Sequence, residues 1–339
     1  MNNLPEINVS FEELNRIIMG PIRSKLLLTG IELKVFNRLS KPCSARDLAE
    51  VIDTHPENTR RFMDGLAACD LVLKKNGQYR NTPISQAFLV EGSDTYIGQM
   101  LAFSAKIYYP GLKDLPALVK KGPPQSSQEA DSGFEELCAN GAVVTGKMQL
   151  AGFAQVAVEV ISKLPEFPSF RRMLDLGGGP GLIGIAIVSA HPSMKGVIFD
   201  LPAVVKVAET FIKEYEIEDR MEVLGGNYNN DPIGEEYDLI WASGTLNFSK
   251  NDMDSLIKRI YDVLNPGGVF VSFHDGLTGE RTNPCEMVLG MLSSALMGQD
   301  MGLDQGFIAD TMLRAGFQSV RSRTLETPMG PMDLDIGRK

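Results

Sequence analysis

Met173-Leu174-Asp175-Leu176-Gly177-Gly178-Gly179-Pro180-Gly181 is an apolar run that breaks on glycines, and Leu182 to Val188 resumes it at once. A strand that ends in small residues and re-enters as a helix is a turn built for close backbone approach to a ligand. It sets the unpaired N–H groups of a helix N-terminus beside whatever binds there. Two ligands compete for such a turn. Gly179-Pro180-Gly181-Leu182-Ile183-Gly184 is a literal G-x-G-x-x-G, and Asp200 closes the next apolar run at a spacing that suits a ribose contact. Alone, that pattern is a weak sign of a nicotinamide dinucleotide. Against it stands Asp175, inside the strand, where a carboxylate repels a pyrophosphate and suits a ligand carrying an ammonium or sulfonium charge.

The chain around this loop has 339 residues, a length that favours two domains, each with its own core. Hydrophobic content of 43% and charged content of 22% are those of an ordinary soluble protein, so the expected compartment is the cytoplasm. A formal charge of -10 argues against nucleic acid as the main ligand. Cys43, Cys69, Cys138 and Cys285 form no C-x-x-C pair and no metal spacing. They are expected to be small buried hydrophobes in a reducing compartment, with no metal site. The polar, acidic start of the chain does not read as a signal peptide, and no apolar run approaches membrane-spanning length.

Upstream of the loop, residues 11–39 carry apolar side chains at helical spacing, among them Ile17, Ile18, Ile22, Leu26, Val35, Phe36 and Leu39. The stripe is wider than one small core needs, which points to cover by a second subunit. Ser44 can cap a short helix, His55-Pro56 turns into another, and Asn76-Gly77 is a type I′ signal inside the hairpin 71–80. Helices followed by a hairpin make a winged-helix arrangement. Its DNA-binding reading would place Arg60 and Arg61 on the recognition helix, but Glu57, Asp64 and Asp70 offset them. The aromatic cluster Phe103, Tyr108 and Tyr109 follows, then a polar, proline-rich stretch, 120–132, that reads as a surface loop. A single helix is expected over 146–164.

Downstream, strand-like and helix-like runs alternate, as in a parallel sheet covered on both faces. The expected strands are 173–176, 196–199, 221–224, 238–242 and 269–273. Runs 317–325 and 332–337 are joined by a connection too short for a crossover helix, so they should pair antiparallel.

The pattern Asp175-x-Gly177-Gly178-Gly179-x-Gly181 resembles the first motif of S-adenosylmethionine-dependent methyltransferases. Over nearly its whole length the chain resembles the two-domain O-methyltransferases typified by hydroxyindole, caffeate and bacterial polyketide enzymes. Matching segments include the winged-helix run, Phe199-Asp200-Leu201-Pro202, Gly225-Gly226-Asn227-Tyr228, Asn265-Pro266-Gly267-Gly268 and Arg314-Ala315-Gly316-Phe317. The resemblance implies an α/β fold: a class I methyltransferase (Rossmann-like) sheet with a terminal antiparallel hairpin, preceded by a winged-helix dimerisation domain. Residues 1–110 would form the dimerisation domain. Residues 111–339 would form linking helices and the cofactor-binding domain. It also implies a homodimer acting on a small aromatic or polyketide-like molecule.

Carried over residue by residue, the resemblance assigns the cofactor site to Asp175, Gly177, Gly179, Asp200, Leu201, Gly226, Asn227, Tyr228 and Ser243. Asp200 would accept both ribose hydroxyls. Asn227 stands where the family usually has an aspartate facing the adenine amino group, and Tyr228 would pack on the adenine. Ser243 matches a position that often holds a lysine. After the fourth strand the family carries Leu-His-Asp-Trp, whose histidine is the base, whereas this chain has Leu246-Asn247-Phe248-Ser249. Asparagine is no general base near neutral pH.

Of three histidines, His55 and His191 read as surface residues. His274 follows the fifth strand beside Asp275, at the sheet edge where ligands bind, and is the candidate replacement base. If no base acts, transfer to sulfur or carbon, or a non-methylating use of the cofactor, comes next. Met287, Met291, Met297 and Met301 would wall an apolar substrate pocket, with Asp300 near a second acidic position of the family. A nicotinamide-dependent oxidoreductase and a winged-helix DNA-binding regulator are the readings from other classes.

Overall fold

The computed structural model describes residues 7–123 and 134–339. The polar stretch 120–132 therefore lies mostly outside the described residues. The chain divides into two compact units, Met1–Ala102 and Phe103–Lys339.

The first unit runs α1 (Glu12–Glu32), β1 (Cys43–Ser44), α2 (Ala45–Val51), α3 (Pro56–Ala68), β2 (Val72–Lys75), β3 (Gln78–Asn81) and α4 (Pro83–Phe88), with α5 (Gly98–Tyr108) starting at its end. Ser44 and His55 cap their helices through side-chain acceptors, as the sequence implied for Ser44. Asn76 and Gly77 both take positive φ, 50° and 76°, so the β2–β3 hairpin has the two left-handed residues that a type I′ turn needs. The three strands form a small wing in the order β1-β3-β2. Its core gathers Val35, Phe36, Leu39, Leu48, Met63 and Tyr79. The earlier half of the apolar stripe is left open: Ile17, Ile18 and Ile22 on α1 are 64%, 66% and 55% exposed. Arg60 and Arg61 are engaged by carboxylates, Arg60 by Glu57 and Asp64, Arg61 by Glu57. That pairing offsets the two cations on which the recognition-helix reading relies.

The second unit comprises α6 (Leu115–Lys121), α7 (Phe134–Met148), α8 (Ala154–Ser162), β4 (Arg172–Leu176), α9 (Leu182–Ser189), β5 (Lys195–Asp200), α10 (Pro202–Glu214), β6 (Met221–Gly225), β7 (Tyr237–Ser243), α11 (Met253–Val263), β8 (Leu264–His274), α12 (Cys285–Leu296), α13 (Phe307–Ala315), β9 (Ser319–Thr327) and β10 (Gly330–Arg338). Seven strands form one sheet in the order β6-β5-β4-β7-β8-β10-β9. The first five are parallel, and the β9–β10 hairpin joins antiparallel on β8. All the expected strands are present within a few residues. The chain leaves β4 in one direction to β5 and β6, then returns to place β7 on the other side of β4. That reversal opens a crevice at the carboxyl ends of the strands.

Each face of the sheet has its own core. One gathers Met173, Trp241, Val271 and Phe273 against α8 and α9; the other gathers Leu174, Leu176, Ile240 and Phe270 against α11 and α13. Side chains alternate between the faces along each strand.

The single helix expected over 146–164 is interrupted. Between α7 and α8 the segment Gln149–Phe153 makes one wide turn in which Gly152 has φ 140°, a conformation that excludes side chains. Apolar periodicity on both sides of the break hid it from the sequence. The cysteines also depart from expectation, since Cys43, Cys69 and Cys138 are half-buried and Cys285 is exposed. No disulfide or cluster of metal-binding side chains occurs among the described residues. No described helix is long and apolar enough to cross a membrane.

Candidate active site

A cleft of about 370 Å³ lies at the carboxyl edge of the sheet. Its floor is the glycine loop, and Gly177 and Gly179 both line it. Gly177 has φ 64°, and a Cβ there would stand 2.1 Å from Thr245 Oγ1. Gly179 has φ 59° and Gly244 φ 60°; a Cβ on either would meet no protein atom within 4 Å. At those two positions only the backbone conformation and the space of the cleft call for glycine.

Asp200 ends β5 and turns its carboxylate to this floor. Oδ2 accepts the Gly179 N–H at 2.8 Å and Oδ1 accepts the Leu201 N–H at 2.7 Å. Each oxygen keeps a further lone pair for a hydroxyl donor. Burial pushes this carboxyl up from its ordinary value, and the two N–H donors work against the shift. The cleft continues over Leu201 to Gly226, Asn227 and Tyr228. A Cβ at Gly226 would lie 2.9 Å from the Phe199 ring, so glycine is required there for packing. The Asn227 N–H is held by Asp231 Oδ2 at 2.7 Å, and Asn227 Oδ1 accepts the Asn229 N–H at 2.9 Å. The amide oxygen predicted to face an adenine is thus already committed once, to its own turn.

The Tyr228 hydroxyl donates to Thr245 O at 2.7 Å and lies 3.0 Å from Thr245 Oγ1. Burial pushes the phenol up to about 12, so it stays neutral. Arg259 donates to the Tyr228 backbone carbonyl, which anchors the main chain at this residue. The opposite wall is α7, through Cys138, Gly141, Ala142 and Thr145. Burial, Asp200 and Glu135 all push the Cys138 thiol up, which keeps it protonated. Thr245, Phe248 and the α7 residues were not singled out from the sequence. The only trace was a cluster of small side chains at 141, 142 and 145.

Seven of the nine residues assigned to the cofactor come together here: Gly177, Gly179, Asp200, Leu201, Gly226, Asn227 and Tyr228. Asp175 and Ser243 do not line the cleft. Asp175 is buried beneath the loop and accepts the Gly184 N–H through Oδ2 at 3.0 Å. A Cβ at Gly184 would approach that oxygen to 2.7 Å. The third glycine of the apparent dinucleotide pattern is therefore there to make room for a carboxyl, not a pyrophosphate. Burial pushes Asp175 up to about 7, against the Gly184 hydrogen bond and with help from Asp200. Ser243 closes β7, and its neighbours Gly244 and Thr245 take the cleft-facing positions instead.

The two residues expected at catalytic positions, Asn247 and His274, also do not line this cleft. Asn247 sits in a 3₁₀ turn after β7, off the cleft wall, with Oδ1 buried and unpartnered. His274 is 3% exposed and shares the α13 face of the sheet with Ser272. Its neighbours are Asp335, 3.6 Å from Nε2, and Asp333, its register partner on β10; the predicted partner was Asp275. Burial pulls the imidazole down to about 4, opposed by Asp333. His274 is thus a neutral, enclosed side chain that does not line this cleft.

His191, expected at the surface, is buried. Its Nδ1 accepts the Met194 N–H at 2.8 Å, and its ring meets Phe167 edge-on at 5.0 Å. Asp300 pairs with Lys250 and Arg281, a structural network between loops. Of the methionines, Met287 packs against the core on the α8 and α9 face of the sheet, and α12 buries no residue fully.

Residues 140–317 match the O-methyltransferase domain and residues 15–91 the O-methyltransferase dimerisation domain. The chain belongs to the O-methyltransferase family. Among its relatives, the tetracenomycin polyketide synthesis 8-O-methyl transferase TcmO of Streptomyces glaucescens is 26% identical over 96% of each chain. The N,N-dimethyltransferase OxyT of Streptomyces rimosus is 26% identical over 82% of each. In fold, the methyltransferase resembles human N-acetylserotonin methyltransferase, solved in complex with S-adenosylmethionine, with a TM-score of 0.78, 23% identity and 99% of both chains covered. The nicotinamide and DNA-binding readings give way to this assignment. The family's methyl transfer depends on S-adenosylmethionine, and the open space at Gly179 and Gly244 beside Asp200 fits an adenosine-bearing ligand.

Proposed function

We propose that this enzyme transfers the methyl group of S-adenosylmethionine to a hydroxyl of a small aromatic or polyketide-like molecule. The observation that carries the reading is the Asp200 carboxylate, fixed by two backbone N–H groups and facing a cleft with Tyr228 on its wall. Asp200 holds the ribose hydroxyls, Gly177 and Gly179 let the backbone approach the methionine portion, and Tyr228 packs on the adenine beside Asn227. When bound, the cofactor supplies a methyl group on a positively charged sulfur. The protein's contribution is chiefly to hold donor and acceptor in line and exclude water. Aromatic and polyketide acceptors fit the relatives' names and the apolar side chains of Val204 and Phe248 in the cleft.

The winged-helix unit, residues 1–110 in this reading, would join two copies through the open face of α1, where Phe11, Leu14, Ile17, Ile18 and Ile22 are exposed. Residues 111–339 then carry the cofactor, and the homodimer works in the cytoplasm. A nitrogen acceptor is the second reading, favoured by the relative OxyT. Incubation with methyl-labelled S-adenosylmethionine and matched panels of phenols and arylamines tests both. Labelled ether with the phenols supports the first reading, and labelled amine supports the second. NADH binding without any S-adenosylmethionine binding would overturn both. Light scattering at twice the chain mass supports the dimer, and a monomer at all concentrations overturns it.

A further inference from the structure

Helix α7 touches the cofactor cleft along its middle and is tied down at both of its ends. Near its start, Glu135 Oε1 accepts the Ala203 N–H at 2.7 Å, in the first turn of α10, directly after Asp200-Leu201-Pro202. Just past its end, Gln149 Oε1 accepts the Leu182 N–H at 3.1 Å, the first residue of α9, directly after the glycine loop. The same amide donates from Nε2 to Gly178 O at 3.4 Å, so it spans the loop and the helix that follows it. The wide turn Gln149–Phe153, non-helical at Ala151 and Gly152, follows α7 directly and begins at Gln149. Between the two ties, Gly146 sits where a Cβ would come within 3.2 Å of the Phe211 ring of α10 and 3.3 Å of Leu182 of α9. The helix is thereby drawn down onto both.

The two N–H groups used are first-turn donors of the two helices that flank the cleft, groups with no partner inside their own helices. A carboxylate at one and an amide at the other satisfy them with side chains from a single rod roughly 20 Å long. We propose that Glu135 and Gln149 are positioning residues that clamp α7 across the cofactor site, fixing the wall formed by Cys138, Gly141, Ala142 and Thr145 at the height the cofactor needs. This rests on the cofactor reading above. Neither side chain lines the cleft, so the effect passes through the helix and the loop.

The test uses the full-length protein with Glu135→Leu and Gln149→Leu, beside the conservative Glu135→Gln, which keeps the accepting oxygen. Calorimetry with S-adenosylmethionine and S-adenosylhomocysteine should give about fivefold weaker binding for each leucine variant, the scale of one net hydrogen bond. Glu135→Gln should stay within about twofold of the parent. Turnover at saturating cofactor should change far less than the KM for S-adenosylmethionine. Hydrogen exchange on the ligand-free protein is the independent readout: amides of 135–148 should exchange faster in the leucine variants, while those of β4 keep the parent's protection. Unchanged exchange in α7 overturns the clamp, as does a conservative variant that loses as much affinity as its leucine counterpart. Faster α7 exchange in the leucine variants, with a parent protein that binds no S-adenosylmethionine, would instead uphold the clamp and overturn the cofactor reading.

Discussion

Two groups of polar side chains sit at the same carboxyl edge of the same sheet and have opposite fates. At the end of β5, Asp200 has both oxygens paired with backbone N–H groups and faces a cleft. At the end of β8, His274, Asp333 and Asp335 are enclosed: Asp333 Oδ1 accepts from Gln305 at 3.0 Å and Thr324 at 2.9 Å, and Asp335 Oδ2 lies 3.6 Å from His274 Nε2. Burial disfavours the charged forms in this second group, pulling His274 down and pushing Asp335 up. The difference lies in which neighbours cover the strand end. Beyond β5 the chain turns away at Leu201-Pro202 and leaves a crevice; beyond β8, β10 pairs alongside and α13 packs over the face. Position at the ligand edge of a parallel sheet is necessary for a site but does not make one.

The largest test of this contrast is Asp200→Ala, expected to weaken S-adenosylmethionine binding by about 2–3 kcal/mol, the scale of hydrogen bonds to a charged group. His274→Leu should leave that affinity unchanged. Calorimetry on the pair decides the matter, since equal losses would mean that His274 communicates with the cleft after all. Next come two glycines of the loop. Gly177→Ala forces a methyl group into Thr245 and strains a positive φ, whereas Gly179→Ala carries the strain alone. Urea unfolding should show a loss of about 1 kcal/mol for Gly179→Ala and at least that much more for Gly177→Ala.

The enclosed group has a pH signature. His274 titrates near 4 in the folded chain and near 6.5 when unfolded, so between these values the unfolded state binds more protons. Its contribution is intact above pH 6.5 and is lost as pH falls towards 4. Asp335 has the reverse sign. Burial pushes it up to about 6 from 3.8, so stability falls as pH rises through 6. Melting temperatures should therefore show a flatter acid limb for His274→Leu and a gain above pH 7 for Asp335→Asn. A parent-like profile in both would show that the group does not titrate on unfolding. The smallest effect is expected from Asn227→Ala, because its oxygen already serves the Asn229 N–H. Cofactor binding should weaken by about 1 kcal/mol or less, and a loss as large as that of Asp200→Ala would restore the direct adenine contact.

Much of the protein was written in local sequence. Period-two and period-3.6 apolar patterns placed every strand of the large sheet, Asn76-Gly77 fixed the wing, and the run from Asp175 to Gly181 with Asp200 located the floor of the cleft. These are short-range facts: backbone conformation, alternation and glycine spacing act within a few residues of where they are written. What the sequence left open was which strand face a given side chain joins and what packs over it. His274 and Asp275 are neighbours in sequence, yet β10 and α13 take His274 into the core and give it Asp335, 61 residues away, as a partner. Asp175 looked like a ligand contact until Gly184 folded back over it. Gln149 lies inside the single helix expected over 146–164, and only the wide turn 149–153 sets it against the glycine loop. Burial and desolvation are properties of the assembled layers, so only the tertiary structure could decide those roles.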